Sequence, residues 1–389
     1  MGYDLLDGVT VIEVAQFGPD ALGGYLADLG ARVIKVEAPG GDPLRFAGNY
    51  AAGKPDGYGF MHLRWNRGKE SVVLDLTTDA GKEDFRKLVG SADVVIEGMR
   101  AGSLDKLGLG YQTLRSDNSG LVYCAISGMG RTGPYHKIAS HGPTFDAYGG
   151  LEMPREDNPT RNGVPLPAPV GMHAMGVYGA LGVLAALFKA SRKGEGSLIE
   201  ISAAECSAYW LPETLDVEMN RDTVHIRPGF LDDMGMMRLW ARMENYRTRD
   251  GKLIFLMTYT QKSWKGFLEL IGRPELDEIY QDENDGMADA KVAEALTEVF
   301  ATRDREDWMQ DFRANNVAAM PVNSPADTVR DPHFVERDMT YKTVLPDGQE
   351  LRMLSSPIRV EGTQFDISTA PDLDQHGDAI AREFGLNRS

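Results

Sequence analysis

Cysteine is scarce: Cys124 and Cys206 are the two thiols in 389 residues. Two cannot build a disulfide framework in a chain of this length. Each sits in an apolar or small-residue stretch, so both read as buried free thiols rather than a catalytic pair. Positive charge is also in deficit, with 41 Lys and Arg against 58 Asp and Glu and a formal charge of −17. That balance excludes broad nucleic-acid binding, which needs a basic footprint, and docking on anionic lipid. It leaves room for a small polyanion wherever basic residues cluster. Long apolar runs are missing too. The longest, around Val177 to Leu187, is rich in Gly and Ala and falls short of a membrane span. The residues Met1-Gly2-Tyr3-Asp4-Leu5-Leu6-Asp7 put acids where a signal peptide carries bases. The expectation is a soluble cytoplasmic protein with neither nucleic-acid nor membrane partners.

The generic chemical motifs are absent as well. The first strand-to-helix turn reads Gln16-Phe17-Gly18-Pro19, not the Gly-x-Gly-x-x-Gly of a dinucleotide site. No Walker-type Gly-Lys-Ser/Thr occurs, and no Gly-x-Ser-x-Gly elbow. Nothing in the His and Cys spacing suggests zinc, so no metal site is expected.

What is present is an alternation of strands and helices. Thr10 to Ala15 reads as a buried strand, followed by the breakers Gly18-Pro19. Leu22, Leu26 and Leu29 then fall at helical spacing, with Asp20 as expected N-cap and Gly30 beyond the end. Arg32 to Glu37 is a second strand, which makes a right-handed β-α-β unit. Strands at Val72 to Leu76, Asp93 to Glu97 and Leu121 to Ile126, with a helix from Ala80 to Val89, complete a doubly wound pattern. A long helix is expected from Met175 to Arg192, then a strand from Ser197 to Ser202. Asp222 to Asn245 is irregular and carries Met234, Met236, Met237 and Met243, as a loop over a ligand or partner surface would. Leu253 to Leu256 and Ser263 to Ile271 open a second α/β unit. The tail from Tyr341 to Ile367 reads as antiparallel strands around the turn Pro346-Asp347-Gly348.

A set of ordered blocks runs through this pattern. Leu26-Ala27-Asp28-Leu29-Gly30-Ala31-Arg32-Val33-Ile34-Lys35-Val36-Glu37 leads to Gly41-Asp42-Pro43 and Arg45. Asn66-Arg67-Gly68-Lys69-Glu70-Ser71-Val72 leads to Leu74-Asp75-Leu76. Ala92 to Glu97 is followed by Arg100, Gly102 and Leu107-Gly108-Leu109. Then come Ser127-Gly128-Met129-Gly130 with Gly133-Pro134-Tyr135, Ala185-Ala186-Leu187-Phe188, Gly194-Glu195-Gly196 and Ile199-Glu200. The second half holds Tyr246, Asp250-Gly251, Trp264, Pro321-Val322, Asp331-Pro332, Arg337 and Ala370-Pro371-Asp372-Leu373 with His376. Each block is weak alone; together and in order they resemble the family III CoA-transferases, the group of formyl-CoA transferase and alpha-methylacyl-CoA racemase.

That resemblance implies an α/β fold with a large Rossmann-like CoA-binding domain from both chain ends, residues 1–200 and 331–389. Residues 201–330 would supply linkers and a smaller α/β domain. It also implies an interlocked homodimer, with acyl-CoA as substrate and no tightly bound cofactor. CoA carries a 3′-phosphate and a pyrophosphate, which an acidic enzyme must meet with local cations. Arg64, Arg67, Lys69, Arg100, Lys106, Arg131 and Lys137 are available for that, mostly near predicted strand ends, where open α/β sheets bind ligands. The candidate CoA contacts are Gln16, Arg45, Asn66, Arg67, Lys69, Arg100, Arg131 and Lys137.

The sequence departs from the family where the chemistry sits. Family transferases use an aspartate just before the long helix as covalent nucleophile. Here that position falls on Gly171 or Met172, neither of which can act so. In the racemase branch a histidine serves as base, and His141 stands at the matching place, nine before Gly150. A histidine can take a proton alpha to a thioester carbonyl near neutral pH. Racemisation needs an acid on the opposite face, for which His173, Asp146 and Glu152 are candidates. With a β leaving group, one base suffices. Gly98 stands where the family tends to carry asparagine, and Phe230 to Arg242 lacks the glycine-rich loop of formyl-CoA transferase. The apolar, Met-rich segment there suggests a larger, hydrophobic acyl group. Three readings follow: CoA transfer by a route without the usual aspartate, isomerase or lyase chemistry with His141 as base, and non-catalytic acyl-CoA binding.

Overall fold

The computed structural model describes residues 2–51, 58–151, 168–223, 240–279 and 286–387. Glu152, Met234, Met236 and Met237 lie outside the described residues, as does Phe230 with most of the segment that follows it. The chain divides into two compact units, Met1–Pro212 with Met339–Ser389, and Glu213–Asp338.

In the first unit, strands and helices alternate as β1 (Thr10–Ala15), α1 (Asp20–Asp28), β2 (Arg32–Glu37), α2 (Phe60–Asn66), β3 (Glu70–Val73), α3 (Asp79–Gly90) and β4 (Val94–Gly98). They continue through α4 (Ser103–Lys106), α5 (Tyr111–Asp117), β5 (Val122–Ser127), α6 (Pro143–Gly149), α7 (Val170–Lys193), β6 (Ser197–Ser202) and α8 (Ala203–Tyr209). The six strands form one parallel sheet in the order β3-β2-β1-β4-β5-β6. Helices cover both faces, so the inner strands are apolar on both sides. Val11, Val33, Ile96 and Ile126 face Leu22, Leu26 and Val183. Ile12, Ile34, Val95 and Tyr123 face Phe85, Leu88 and Leu114. The unit keeps α8, beyond the boundary suggested at residue 200, because Ala203, Cys206 and Ser207 are buried where α8 packs on α6 and α7.

Helix α7 begins earlier than its apolar periodicity suggests. Val170 is its first residue, so Gly171, Met172 and His173 lie inside its first turn rather than ahead of it. Its 18-residue window of mean hydropathy 1.6 is long and apolar enough to cross a membrane by those measures. In this fold it is a core helix: Ala174, Met175, Ala180, Val183 and Ala186 are buried as it packs on α1, α8, β5 and β6.

The second unit opens near α9 (Pro212–Met219) and contains an antiparallel sheet of β7 (Met243–Arg247), β8 (Leu253–Met257) and β9 (Ala319–Pro321). Helices α10 (Gln261–Leu270), α11 (Leu276–Ile279), α12 (Gly286–Phe300) and α13 (Arg305–Ala314) accompany it, followed by the short α14 (Pro325–Thr328) and α15 (Pro332–Glu336). An aromatic core of Tyr246, Trp264, Phe267, Phe300, Trp308 and Phe312 holds this unit together. Tyr246 stacks on Phe300 at 4.7 Å between ring centroids.

The chain then returns to the first unit. The hairpin β10 (Thr340–Val344) and β11 (Glu350–Leu354) turns through Pro346-Asp347-Gly348, with Gly348 at positive φ. It contributes Tyr341, Leu345 and Met353 to the first core face. Helix α16 (Gly377–Phe384) places Ile380 in the second.

Candidate active site

Strand order positions the site. β2 lies on one side of β1 and β4 on the other, so the chain winds in opposite directions from the C-terminal ends of β1 and β4. In open α/β sheets this switch point opens the ligand crevice. Gln16, Phe17 and Gly18 follow β1; Met99 and Arg100 follow Gly98 at the end of β4.

The turn after β1 is pinned from beneath. The Lys35 ammonium donates to the Ala15 carbonyl at 2.8 Å and to the Asp20 carboxylate at 2.6 Å. Asp20, expected to cap α1, instead follows the capping Pro19 and turns its carboxylate inward to Lys35 and Asn66. The Lys69 ammonium donates to Glu13 at 2.6 Å, to the Asp20 carbonyl at 2.9 Å and to Asn66 at 3.0 Å. Burial and neighbouring charges push in opposite directions here. The lysines hold Asp20 below the usual carboxylate range despite its burial. Burial dominates at Glu13 and raises it, against the pull of Lys69.

Four of the proposed CoA contacts belong to this interior. Arg45, Asn66, Arg67 and Lys69 are all buried. Arg45 grips both oxygens of Glu37, at 2.9 and 2.6 Å, and donates to the Pro371 carbonyl. Arg67 pairs with Asp28. Arg45, Arg67 and Lys69 thus anchor α1, β1 and β2, each with its charge matched by a carboxylate inside the unit. The others lie nearer solvent. Arg100 and Lys137 are exposed and form no ion pair among the described residues, and Lys106 is likewise exposed. Arg131 pairs with Asp105 at 2.7 Å. Gln16 is half-buried at the end of β1. Gly98 has a packing reason: a Cβ there would stand 2.5 Å from the Cβ atoms of Ala15 and Pro19. The close approach of β4 to the first turn leaves no room for asparagine.

The start of α7 is held by Asp146 of α6. Its carboxylate accepts the Val170 N–H at 2.9 Å, the Gly171 N–H at 2.8 Å and the Ser207 hydroxyl at 2.6 Å. This satisfies two of the backbone donors that every helix start leaves open. Asp146 is therefore a capping residue and not the free acid considered from sequence. Gly171 is buried, and a Cβ on it would come within 2.7 Å of the Ala203 carbonyl. Met172 is the position with room for a side chain. It packs with Ala21, Leu44 and Trp65, alongside Phe17. Its Cγ would lie 2.6 Å from any Cβ added at Gly18.

The two histidines flank this apolar patch. His141 is exposed on the loop before α6, its ring centroid 5.7 Å from that of Phe17. His173 is half-buried, edge-on to Trp65 at 6.1 Å. Burial, with the Arg64 charge, holds His173 below the usual imidazole range, against the pull of Asp146. At neutral pH it is an uncharged imidazole, poorly suited to the acid that racemisation needs. The cysteines offer no replacement nucleophile: burial pushes the Cys124 thiol up to about 12, and burial with Glu205 pushes Cys206 up to about 11.

Sequence reasoning missed the backbone conformation of Phe17 and the capping role of Asp146. Phe17 adopts φ +59, which no composition signal reports. The Asp146 cap has a faint signal, a carboxylate in the element preceding an apolar helix that lacks its own capping residue, but its span of 25 residues to Gly171 hides it.

The comparisons with known proteins agree across the chain. A family model described as CoA-transferase family III matches residues 6–377. The chain is 30% identical to a succinyl-CoA:mesaconate CoA-transferase of Haloarcula marismortui, over 98% of this chain and 97% of that protein. It is 32% identical to a probable fatty acyl-CoA transferase, Rv3272, of Mycobacterium tuberculosis, over 94% of each. A crystal structure of Rv3272 superposes with TM-score 0.82 at 28% identity, covering 96% of this chain and 98% of that one. A CaiB/BaiF family protein from Brucella suis superposes at 0.80 and 29%, covering 99% of this chain and 100% of that one.

Proposed function

Because the chain belongs to CoA-transferase family III, we propose that it moves CoA from an acyl-CoA thioester to a free carboxylic acid without a carboxylate nucleophile at residue 172. Met172 carries this reading, standing where the covalent aspartate is expected. In the proposed route the acceptor carboxylate attacks the thioester carbonyl itself. The C–S bond breaks, CoA thiolate leaves, and a mixed anhydride joins the two acyl groups. The thiolate then attacks the acceptor-derived carbonyl and expels the donor acid as carboxylate. Electrons and protons balance with no enzyme-bound acyl group. Arg100, Lys106 and Lys137, exposed and without an ion pair among the described residues, are the cations we assign to the CoA phosphates, together with Arg131 and Gln16.

A second reading is favoured by the place of His141, exposed and next to Phe17. As base at the α-carbon of an acyl-CoA it would support isomerisation or elimination, the latter needing no second acid. Acyl-CoA binding without turnover is the third reading.

We further expect a homodimer. Leu181 and Phe188 on α7 are 61% and 63% exposed, and Trp210 after α8 is 54% exposed. A second copy would bury this apolar face. A cytoplasmic setting fits two buried, unpaired thiols.

One experiment separates the readings. The protein is incubated with acyl-CoAs and free acids in deuterated water. CoA exchange between acids without deuterium wash-in supports transfer. Alpha-deuterium that vanishes in His141→Ala supports the second reading. Binding with neither leaves the third.

A further inference from the structure

Phe17 holds a backbone conformation, φ +59, that bulky residues seldom keep. Such strain persists when the surroundings over-determine it, and it gathers at functional sites. The surroundings are plain here. Lys35 fixes Ala15 and Asp20 on either side, Lys69 fixes the Asp20 carbonyl, and the Asp20 N–H donates to the Phe17 carbonyl at 3.0 Å. Glycine would hold the same turn without strain. The ring is therefore what this position supplies; it lies 5.7 Å from the His141 ring and packs on the Ala21, Leu44 and Trp65 cluster against which Met172 also packs.

We propose that Phe17 is the specificity-determining residue for the acyl group. Its ring, continued by Met172 and Trp65, forms a wall for a hydrocarbon acyl chain and disfavours one ending in a second carboxylate. A charged terminus laid on aromatic and thioether carbon would lose its hydration without a matching partner. Arg64 is the competing consideration: its charge reaches His173, but its Nη1 is occupied by the Leu354 carbonyl. The inference rests on the acyl-CoA reading above and narrows its substrate class.

The test is calorimetry on the full chain with free CoA, octanoyl-CoA and succinyl-CoA, for the wild type, Phe17→Gly and Phe17→Leu. Glycine removes the backbone strain but also the packing of the half-buried ring, so a thermal melt first checks that Phe17→Gly stays folded. The wild type is expected to bind octanoyl-CoA about tenfold or more tighter than succinyl-CoA. Phe17→Gly should shrink that ratio to about threefold or less with free CoA unchanged, and Phe17→Leu should retain most of it. Tighter succinyl-CoA binding by the wild type, or an unchanged ratio in Phe17→Gly, overturns the role of Phe17. Failure of all three ligands to bind sinks the acyl-CoA reading beneath it.

Discussion

The Asp146 carboxylate receives the Gly171 N–H at 2.8 Å, tying the middle of α6 to the first turn of α7. A second bond reaches Val170 and a third joins Ser207 on α8. One side chain thus ties the three helices together around Gly171 and Met172. Its removal leaves buried donors unmet. Asp146→Ala should cost about 3 kcal/mol in chemical denaturation, from a lost cap and lost charge-assisted bonds. Asp146→Asn, which keeps one acceptor, should cost about half that. Equal stability of Asp146→Ala and wild type would remove the capping assignment.

Two neighbouring residues compete for the place of the missing aspartate, and packing separates them. A side chain on Gly171 runs into the Ala203 carbonyl, whereas Met172 already carries one among apolar neighbours. Gly171→Asp should therefore fail to accumulate as folded protein. Met172→Asp should fold with a penalty of about 1–2 kcal/mol for a half-buried polar group. Incubated with acyl-CoA, it should form an acyl adduct that hydroxylamine releases and mass spectrometry detects. An adduct in Gly171→Asp instead would move the nucleophile position by one residue.

The strand pattern, the family and the class of chemistry were legible because they depend on local periodicity and on residue order. The core of the first unit alternates as its strands do, and the matches to acyl-CoA enzymes span the chain. The roles of the basic residues were less legible. Arg45, Arg67 and Lys69 look like phosphate ligands in sequence, since nothing local shows that Glu37, Asp28 and Glu13 approach them from other elements. Those pairings span 8 to 56 residues and exist only after β1, β2 and α2 assemble. The start of α7 was hidden for the same reason: Asp146 supplies the cap from another helix.

Asp42 and His62, both buried beside Lys35 and Arg45, give opposite pH dependences. Burial pushes the Asp42 carboxyl up to about 7, with Asp20 adding to it and Lys35 opposing it, from an ordinary 3.8. Burial, with Arg45 and Lys35, drives His62 down to about 3 from 6.5. Between these limits the folded protein keeps the Asp42 proton that the unfolded chain has lost, so this group makes stability fall as pH rises from about 4 to 7. Over about pH 3 to 6.5 the folded protein refuses the His62 proton that the unfolded chain accepts, so that group makes stability rise with pH. The two cancel between about pH 4 and 6.5. His62→Gln should uncover a fall of about 1.4 kcal/mol per pH unit there, and Asp42→Asn a rise of the same size. Denaturation series at several pH values measure both slopes; matching slopes in the two variants would exclude this pairing.

Burial divides the candidate CoA-binding cations into two groups with different expected behaviour. Arg45 is held by both oxygens of Glu37 and by the Pro371 carbonyl, so Arg45→Ala strands a buried carboxylate. The cost should be about 3–5 kcal/mol of stability. Arg100 and Lys137 are exposed and unpaired among the described residues, so Arg100→Ala and Lys137→Ala should leave stability within about 0.5 kcal/mol. If they meet the CoA phosphates, each loss should weaken CoA binding about tenfold or more at low salt, because charge-assisted bonds to phosphate are lost. The same loss should shrink as added salt screens exposed charges. Calorimetric titration of free CoA at two ionic strengths, paired with thermal unfolding, reads both effects. An Arg45→Ala protein of full stability that cannot bind CoA would return Arg45 to the ligand, and unchanged affinity in Arg100→Ala and Lys137→Ala would take the phosphates elsewhere.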